Sequence, residues 1–441
     1  MKGKVLVLFL LISIGFNAQE GFVIESGIKS KKIKFELVHD LIIVPIELNG
    51  VSLSFILDTG VSRTIVFDKS SKYQSVQYES SGVQFKGLGK GNSLAALKSD
   101  GNIFRIGNVQ DKNHTVYHTP SERTSFSFRI GFPVHGILGY ELFQKFVVEI
   151  NYEKQFIILY DPRSYVDENT NGYMAELYFR KQKKPLVLAK YETETGLVEV
   201  NLLIDSGSST SVWLFENKDV KVPDNSFKDL LGSGLNNNIY GRKSKIKKLY
   251  LGDLVVNDIT TSFPDRNHIS GVSSYDRHGS IGGGLLKRFN LVINYSRKKI
   301  IFKKNKYFSL PFNFNMSGIS LGCSEMTKII VKKNQRLKER EVKIKDAGAG
   351  NYNARTSDNK IVKDRYKYKY EVLRVRDKSP AKIAGLRTGD VVLKINRKDA
   401  SKYTLSELNN MFSSEEGRKI SILVSRSGVK MNFVIYLKSV I

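Results

Sequence analysis

The feature that most constrains this chain is a punctuation that occurs twice. Phe55-Ile56-Leu57-Asp58-Thr59-Gly60 and Leu202-Leu203-Ile204-Asp205-Ser206-Gly207 are apolar β-type runs, each ending in an aspartate, a small hydroxyl residue and a glycine. One such tripeptide arises by chance in roughly one of several chains of this length. The flanks make the pair informative. Gly136-Ile137-Leu138-Gly139, Leu142 to Phe146 and Ile150-Asn151-Tyr152 follow the first copy. Gly279-Ser280-Ile281-Gly282, Leu285 to Phe289 and Ile293-Asn294-Tyr295 follow the second in the same order. The aspartates lie 147 positions apart (58 to 205) and the asparagines 143 (151 to 294), so the chain is an internal duplication of two similar halves.

The residue types suit acid–base chemistry. An apolar strand limits water around the carboxylate it delivers, the hydroxyl can hydrogen-bond within the turn, and glycine permits backbone conformations that a Cβ forbids. Alone, either aspartate reads as a turn carboxylate capping backbone N–H groups. As a matched pair, Asp58 and Asp205 read as two carboxyls sharing one proton.

These motifs resemble the aspartic proteases, in particular the bacterial retropepsin-like aspartyl proteases, over residues 30 to 305. The resemblance implies two lobes, 21–162 and 163–305, in one chain, and hence a bilobal monomer. It implies Asp58 and Asp205 as the catalytic pair, with Thr59, Gly60, Ser206 and Gly207 supporting their loops. Ile137, Leu138 and Gly139 would pack against the first loop, and Ile281 and Gly282 against the second. Ser280 departs from the pattern, standing where an apolar residue is usual. Asp205 to Ser209, followed by Val212-Trp213, is similar to the pepsin-like wording. A glycine-rich stretch with Gly87, Gly89 and Gly91 falls where the family carries a flap over substrate, and Gly232-Ser233-Gly234 falls at the matching place in the second half. Lys243 to Lys248 reads as a solvated strand edge.

Beyond residue 305 the wording changes. Ser379-Pro380-Ala381, Ala384-Gly385-Leu386, Gly389-Asp390 and Ile395-Asn396 resemble a PDZ domain spanning 310–441, with a basic insertion at 331–368. Pro380 should start a short helix, and Thr404 with Glu407 forms a capping box for a helix to Phe412. Gly318, Ile319, Ser320 and Leu321 correspond to the loop that would bind a peptide's terminal carboxylate while the peptide adds as a strand.

Residues 1–18 read as a signal peptide: Lys2 and Lys4, an apolar stretch from Val5 to Ile14, and Ala18 at the cleavage edge. That stretch is too short for a transmembrane helix, so the expected location is exported, periplasmic or secreted. A single cysteine, Cys323, excludes an internal disulfide framework. The six histidines are scattered and no metal-binding pattern occurs, so neither metal nor cofactor is expected. The formal charge of +27 reads either as a solvated basic surface or as attraction to anionic surfaces, with no specific nucleic-acid partner indicated. That charge would also favour ionised carboxylates and leave the acid–base pH range unraised.

The combined expectation is a mainly β chain, a two-lobed aspartic-protease-like β fold followed by a PDZ-like α+β domain. Its function would be that of an exported aspartic endopeptidase acting on protein or peptide substrates, the PDZ unit binding a C-terminal peptide or partner. The alternative is a peptide-binding protein that keeps the fold without the activity.

Overall fold

The computed structural model describes residues 21–25, 27–67, 78–85, 93–119, 126–167, 171–179, 183–234, 238–269, 277–330, 340–344 and 365–441. The signal-like stretch 1–18 and Gly87, Gly89 and Gly91 lie outside them.

Each half folds its alternating apolar residues into a mostly antiparallel sheet of its own. In the first, Asn49 and Gly50 take positive φ (48° and 82°), so the strands Leu41–Leu48 and Val51–Leu57 form a tight hairpin. The second of these strands ends at Asp58, and Gly136–Leu138 lies parallel to it, with Ile137 opposite Ile56 and Leu138 opposite Leu57. In the second half Gly279–Gly282 lies parallel to Gly196–Asp205 in the same way, with Ser280 opposite Leu203 and Ile281 opposite Ile204. Ser280 thus keeps the strand pairing of its apolar counterpart.

A six-stranded sheet joins the halves, in the order Tyr173–Glu176, Lys299–Lys304, Phe289–Asn294, Val147–Asn151, Phe156–Tyr160, Ser30–Lys34. At its centre Val148 faces Ile293 and Ile150 faces Leu291. Residues 148 and 291, and 150 and 293, are duplicates of each other, so the pairing is self-complementary about a pseudo-twofold axis. One continuous apolar core, including Phe55, Phe143, Tyr152, Phe289 and Phe302, runs through both halves. The lobes share this sheet and core.

The basic run Lys243 to Lys248 is a strand edge on one side, as expected. It lies in Asn238–Leu251 and pairs with Leu254–Pro264, while on the other side Phe227–Ser233 reaches only to Lys243 and pairing with Pro185–Thr193 begins at Leu249. Ser244, Ile246 and Leu249 point inward, while Lys245, Lys247 and Lys248 are exposed. Only one face of the strand is basic, and along this run its backbone pairs on one side.

The C-terminal unit has its own core of Ile319, Tyr370, Val372, Leu408, Phe412 and Ile422 among others. Ser379 caps the short helix Pro380–Ile383, and Thr404 with Glu407 closes a full capping box on Leu405–Phe412. Buried Asp390 accepts from Arg426 (2.6 and 2.8 Å) and from the Arg387 amide. Part of the stretch read as an insertion is sheet: Arg340–Ile344 pairs with Ile319–Ile330, and the next strand already begins at Arg365. Alternating tyrosines at 366, 368 and 370 give that strand an inward face, which the lysines between them obscure in the sequence.

This unit is docked on both lobes. On the second, Asp229 accepts from Lys243 (3.2 Å), Arg374 (2.6 Å) and Arg376 (3.4 Å). On the first, Phe128 of the short helix Phe126–Ile130 packs against the C-terminal unit's core. Phe132 meets Tyr366 edge-on, and the His39 amide donates to Ser406 Oγ. The connecting segment is clamped by buried Arg288, whose guanidinium donates to the carbonyls of Tyr307, Phe308, Leu310 and Pro311 and covers the Phe312 ring.

Candidate active site

Asp58 and Asp205 leave their strands on facing sides of the pseudo-twofold axis, at the floor of a cleft of about 1190 Å³ between the lobes. Their loops are locked reciprocally. The Thr59 amide donates to Ser206 Oγ and the Ser206 amide to Thr59 Oγ1, both at 3.0 Å. Thr59 Oγ1 donates to the Ile204 carbonyl (2.6 Å), and Ser206 Oγ to the Leu57 carbonyl (2.8 Å). The hydroxyls therefore bond across to the opposite lobe rather than within their own turns, because the axis places each beside the other's strand end. All four bonds are buried, where such groups must be paired.

Gly60 donates its amide to Asp58 Oδ1 at 2.7 Å. A Cβ there would stand 3.0 Å from Asp205 Oδ1. Gly207 faces Asp58 in the same way, and a Cβ on it would overlap the Asp58 carboxyl. The two carboxyls lie close enough for each to act on the other's ionisation. The Leu138 carbonyl accepts from the Asp58 amide at 2.8 Å. Gly139 sits against the Val61 carbonyl as Gly282 sits against that of Thr210, leaving no room for a side chain at either place.

Electrostatics follow from burial. Burial, then the neighbouring Asp205, push Asp58 up to about 7. Burial raises Asp205 as well, against the opposing pull of Arg277 and Lys184. These cations are too few to outweigh desolvation, so the expectation of an unraised pH range is corrected: overall charge of +27 sits mostly in solvent, where it is screened. The pair titrates as a unit, with one proton held near neutral pH.

The strands that would carry a flap both reach the cleft. Val83, Gln84 and Phe85 line it from the first lobe, and Leu230 to Gly234 line it from the second. The flap glycines themselves lie outside the described residues. Ser320, Leu321, Leu373 and Arg374 of the C-terminal unit line the same cleft. The Gly318 and Ile319 amides are already donated to Asn315 Oδ1 and Ser317 Oγ, both at 3.0 Å. A terminal carboxylate would have to compete with these bonds. Gly318 is also pressed against Ser379.

Residues 44–142 match the family model described as aspartyl protease, and residues 371–426 match that of a PDZ domain. The chain joins an aspartyl protease domain to a PDZ domain. No curated protein matches it. The first match covers only the first lobe, and the likeness of the second rests on its duplicated geometry.

Two elements of this protease domain escaped the sequence reading. His135 and His278 are twofold mates: His135 Nδ1 accepts from the Ser54 amide (3.1 Å) and His278 Nδ1 from that of Asn201 (2.9 Å). A His-Gly pair precedes the Ile-Leu-Gly or Ser-Ile-Gly run in each half, and that repeat could have revealed them. Arg277 and Lys184, the cations nearest the carboxyl pair, carry no such signal, because their positions beside Asp205 come from long-range folding.

Proposed function

We propose that the protein is an exported aspartic endopeptidase that hydrolyses peptide bonds in protein or peptide substrates through Asp58, Asp205 and an activated water. The observation that carries this reading is the reciprocal Thr59–Ser206 lock, which brings the buried Asp58 and the half-buried Asp205, each acting on the other, to the floor of a cleft between the lobes.

With one proton between them, the ionised member takes a proton from water as the water oxygen attacks the scissile carbonyl carbon. The protonated member hydrogen-bonds the carbonyl oxygen as it gains negative charge. Collapse of the tetrahedral species, with a proton passed to the leaving nitrogen, yields a carboxylic acid and an amine. Burial excludes competing water and raises both carboxyls, so the singly protonated state spans a useful pH range. Both aspartates come from one chain, so the unit of activity is the monomer. Export rests on residues 1–18 alone. The PDZ domain, by lining the cleft, would hold protein partners or substrate segments beside the site of cleavage.

The test is hydrolysis of a peptide library by the mature protein and by its Asp58→Asn and Asp205→Asn forms, each confirmed folded. Each substitution should lower the rate by at least about a hundredfold, and rate per molecule should not fall on dilution. Substantial turnover by either variant would sink the mechanism.

A further inference from the structure

The pseudo-twofold axis allows the two walls of the cleft to be compared residue by residue. His135 and His278 fix the register. His135 N donates to the Ser54 carbonyl and His278 N to that of Asn201; Phe67 N and Phe215 N donate back to the two histidine carbonyls. The matched positions are then Ile56 with Leu203, Val134 with Arg277, and Ile137 with Ser280. On the first lobe these side chains form an apolar cluster. On the second, two of the three are polar, and one carries a full charge.

Arg277 is 8% exposed. Its Nε donates to the Gly279 carbonyl at 3.1 Å, and its guanidinium lies over the Phe215 ring at 5.3 Å. Its Nη2 is buried and has no acceptor, although it belongs to a residue lining the cleft. Trp213, opposite Ser280 on the neighbouring strand, also lines the cleft and also has a buried donor, Nε1, without an acceptor. Lys184 adds a second cation to this wall. Among the described residues, no carboxylate forms an ion pair with Arg277. Buried donors are normally paired, and two unpaired ones on a single wall call for an acceptor from outside the chain.

We propose that the second-lobe wall, centred on Arg277 with Trp213 and Lys184, is a subsite for an acidic side chain. A carboxylate offers acceptors to both unpaired donors and a charge to the guanidinium, which is suited to just such a partner. The protein then selects chains with an aspartate or glutamate on one side of the scissile bond and an apolar residue on the other. This also accounts for Ser280: an apolar residue there would line a charged pocket with hydrocarbon. The inference rests on the proteolytic reading for its cleavage site but not for its binding preference.

The experiment uses the mature full chain and matched peptides holding an apolar residue beside Asp or Glu, the corresponding Asn or Gln, or Lys, in both orders. In one order, kcat/KM for the acidic peptide should exceed that for its amide by about tenfold or more, the scale of a hydrogen bond to a charged group. Arg277→Met should bring this ratio close to one, and Lys184→Met should lower it less. A ratio near one in the unmodified protein overturns the proposal, as does an unchanged ratio in both variants. So does an equal loss on acidic and amide peptides in Arg277→Met, which would mean that Arg277 acts only on the carboxyl pair. If no peptide is cleaved, the proteolytic reading fails, and calorimetric binding of the same peptides to Asp58→Asn protein decides the subsite. A preference for the acidic peptide that Arg277→Met removes supports it, and equal affinities overturn it.

Discussion

Gly207 stands where it does because Asp58 fills the space its side chain would need. A Cβ at 207 would overlap the carboxyl of the residue 149 positions earlier, and one on Gly60 would stand 3.0 Å from Asp205 Oδ1. The Asp-[Ser/Thr]-Gly wording is therefore a constraint between lobes. Gly207→Ala should leave the protein folded but push the Asp58 carboxyl aside, lowering kcat by about a hundredfold, as misplacement by an ångström does. Gly82→Ala is a fair control for general damage: it also substitutes a glycine of the first lobe, its φ is not positive, and the nearest atom to its added carbon lies 4.0 Å away. Comparable kinetic losses in both variants would count against the steric account.

The lock itself should behave as one unit. Thr59→Val and Ser206→Ala each remove a buried hydroxyl that both donates and accepts, and each should cost about 1–3 kcal/mol of stability. The double change should cost clearly less than the sum, because either single change already loosens the contact between the two loops on which the other hydroxyl's bonds depend. Denaturant midpoints of the four proteins in the cycle measure this, and strict additivity would refute it.

The carboxyl pair should also leave a mark on stability. Asp58 is raised from the ordinary 3.8 to about 7, so folding takes up a proton there. The associated stability is present below about 4 and lost as pH climbs through about 7. The whole interval converts to at most roughly 4 kcal/mol. Asp58→Asn, which does not titrate, should flatten that decline and be the more stable protein above pH 7. Catalysis should fall over the same upper range as the shared proton is lost. Thermal midpoints and rates across pH check both.

Docking of the PDZ domain should depend on Asp229. Burial alone would raise this carboxyl, but Lys243, Arg374 and Arg376 more than offset it and hold it below the usual range. Its contribution is therefore present above about 4 and lost as pH falls through the depressed value. Asp229→Ala leaves nearly buried Arg376 without its counter-ion and should cost about 3–5 kcal/mol. Limited proteolysis within the 306–318 connection should then accelerate; unchanged resistance would mean that the Arg288 clamp and Phe128 suffice.

A free C-terminal carboxylate should add little to peptide binding by the PDZ domain. The Gly318 and Ile319 amides already have side-chain acceptors. Titrating Asp58→Asn protein with peptides bearing free or amidated C-termini should give similar affinities. Strong loss on amidation would show that those internal bonds give way.

Much was legible before any coordinates. The duplication, the Asn49-Gly50 hairpin, the Thr404–Glu407 capping box and the Ser379-Pro380 helix start are local, since they depend on residues a few positions apart. Misreadings came where local wording is ambiguous. The stretch 331–368 looked like an insertion because the lysines between Tyr366, Tyr368 and Tyr370 hide the inward face of a strand. The Thr59 and Ser206 hydroxyls were given partners in their own turns because nearby acceptors are the only ones a sequence displays.

By itself the sequence determined the repeat, the two carboxylates and the order of the units, because backbone propensity and turn chemistry act over a few residues. Tertiary structure alone decided that the halves share a sheet, that each glycine faces the other half's aspartate, and that the PDZ domain closes one side of the cleft. It also decided that Val134 and Arg277, unlike in chemistry and 143 positions apart, occupy equivalent places on opposite walls. These relationships join residues distant in the chain, and their energies, desolvation of carboxyls and unpaired buried donors, exist only once packing has removed the water.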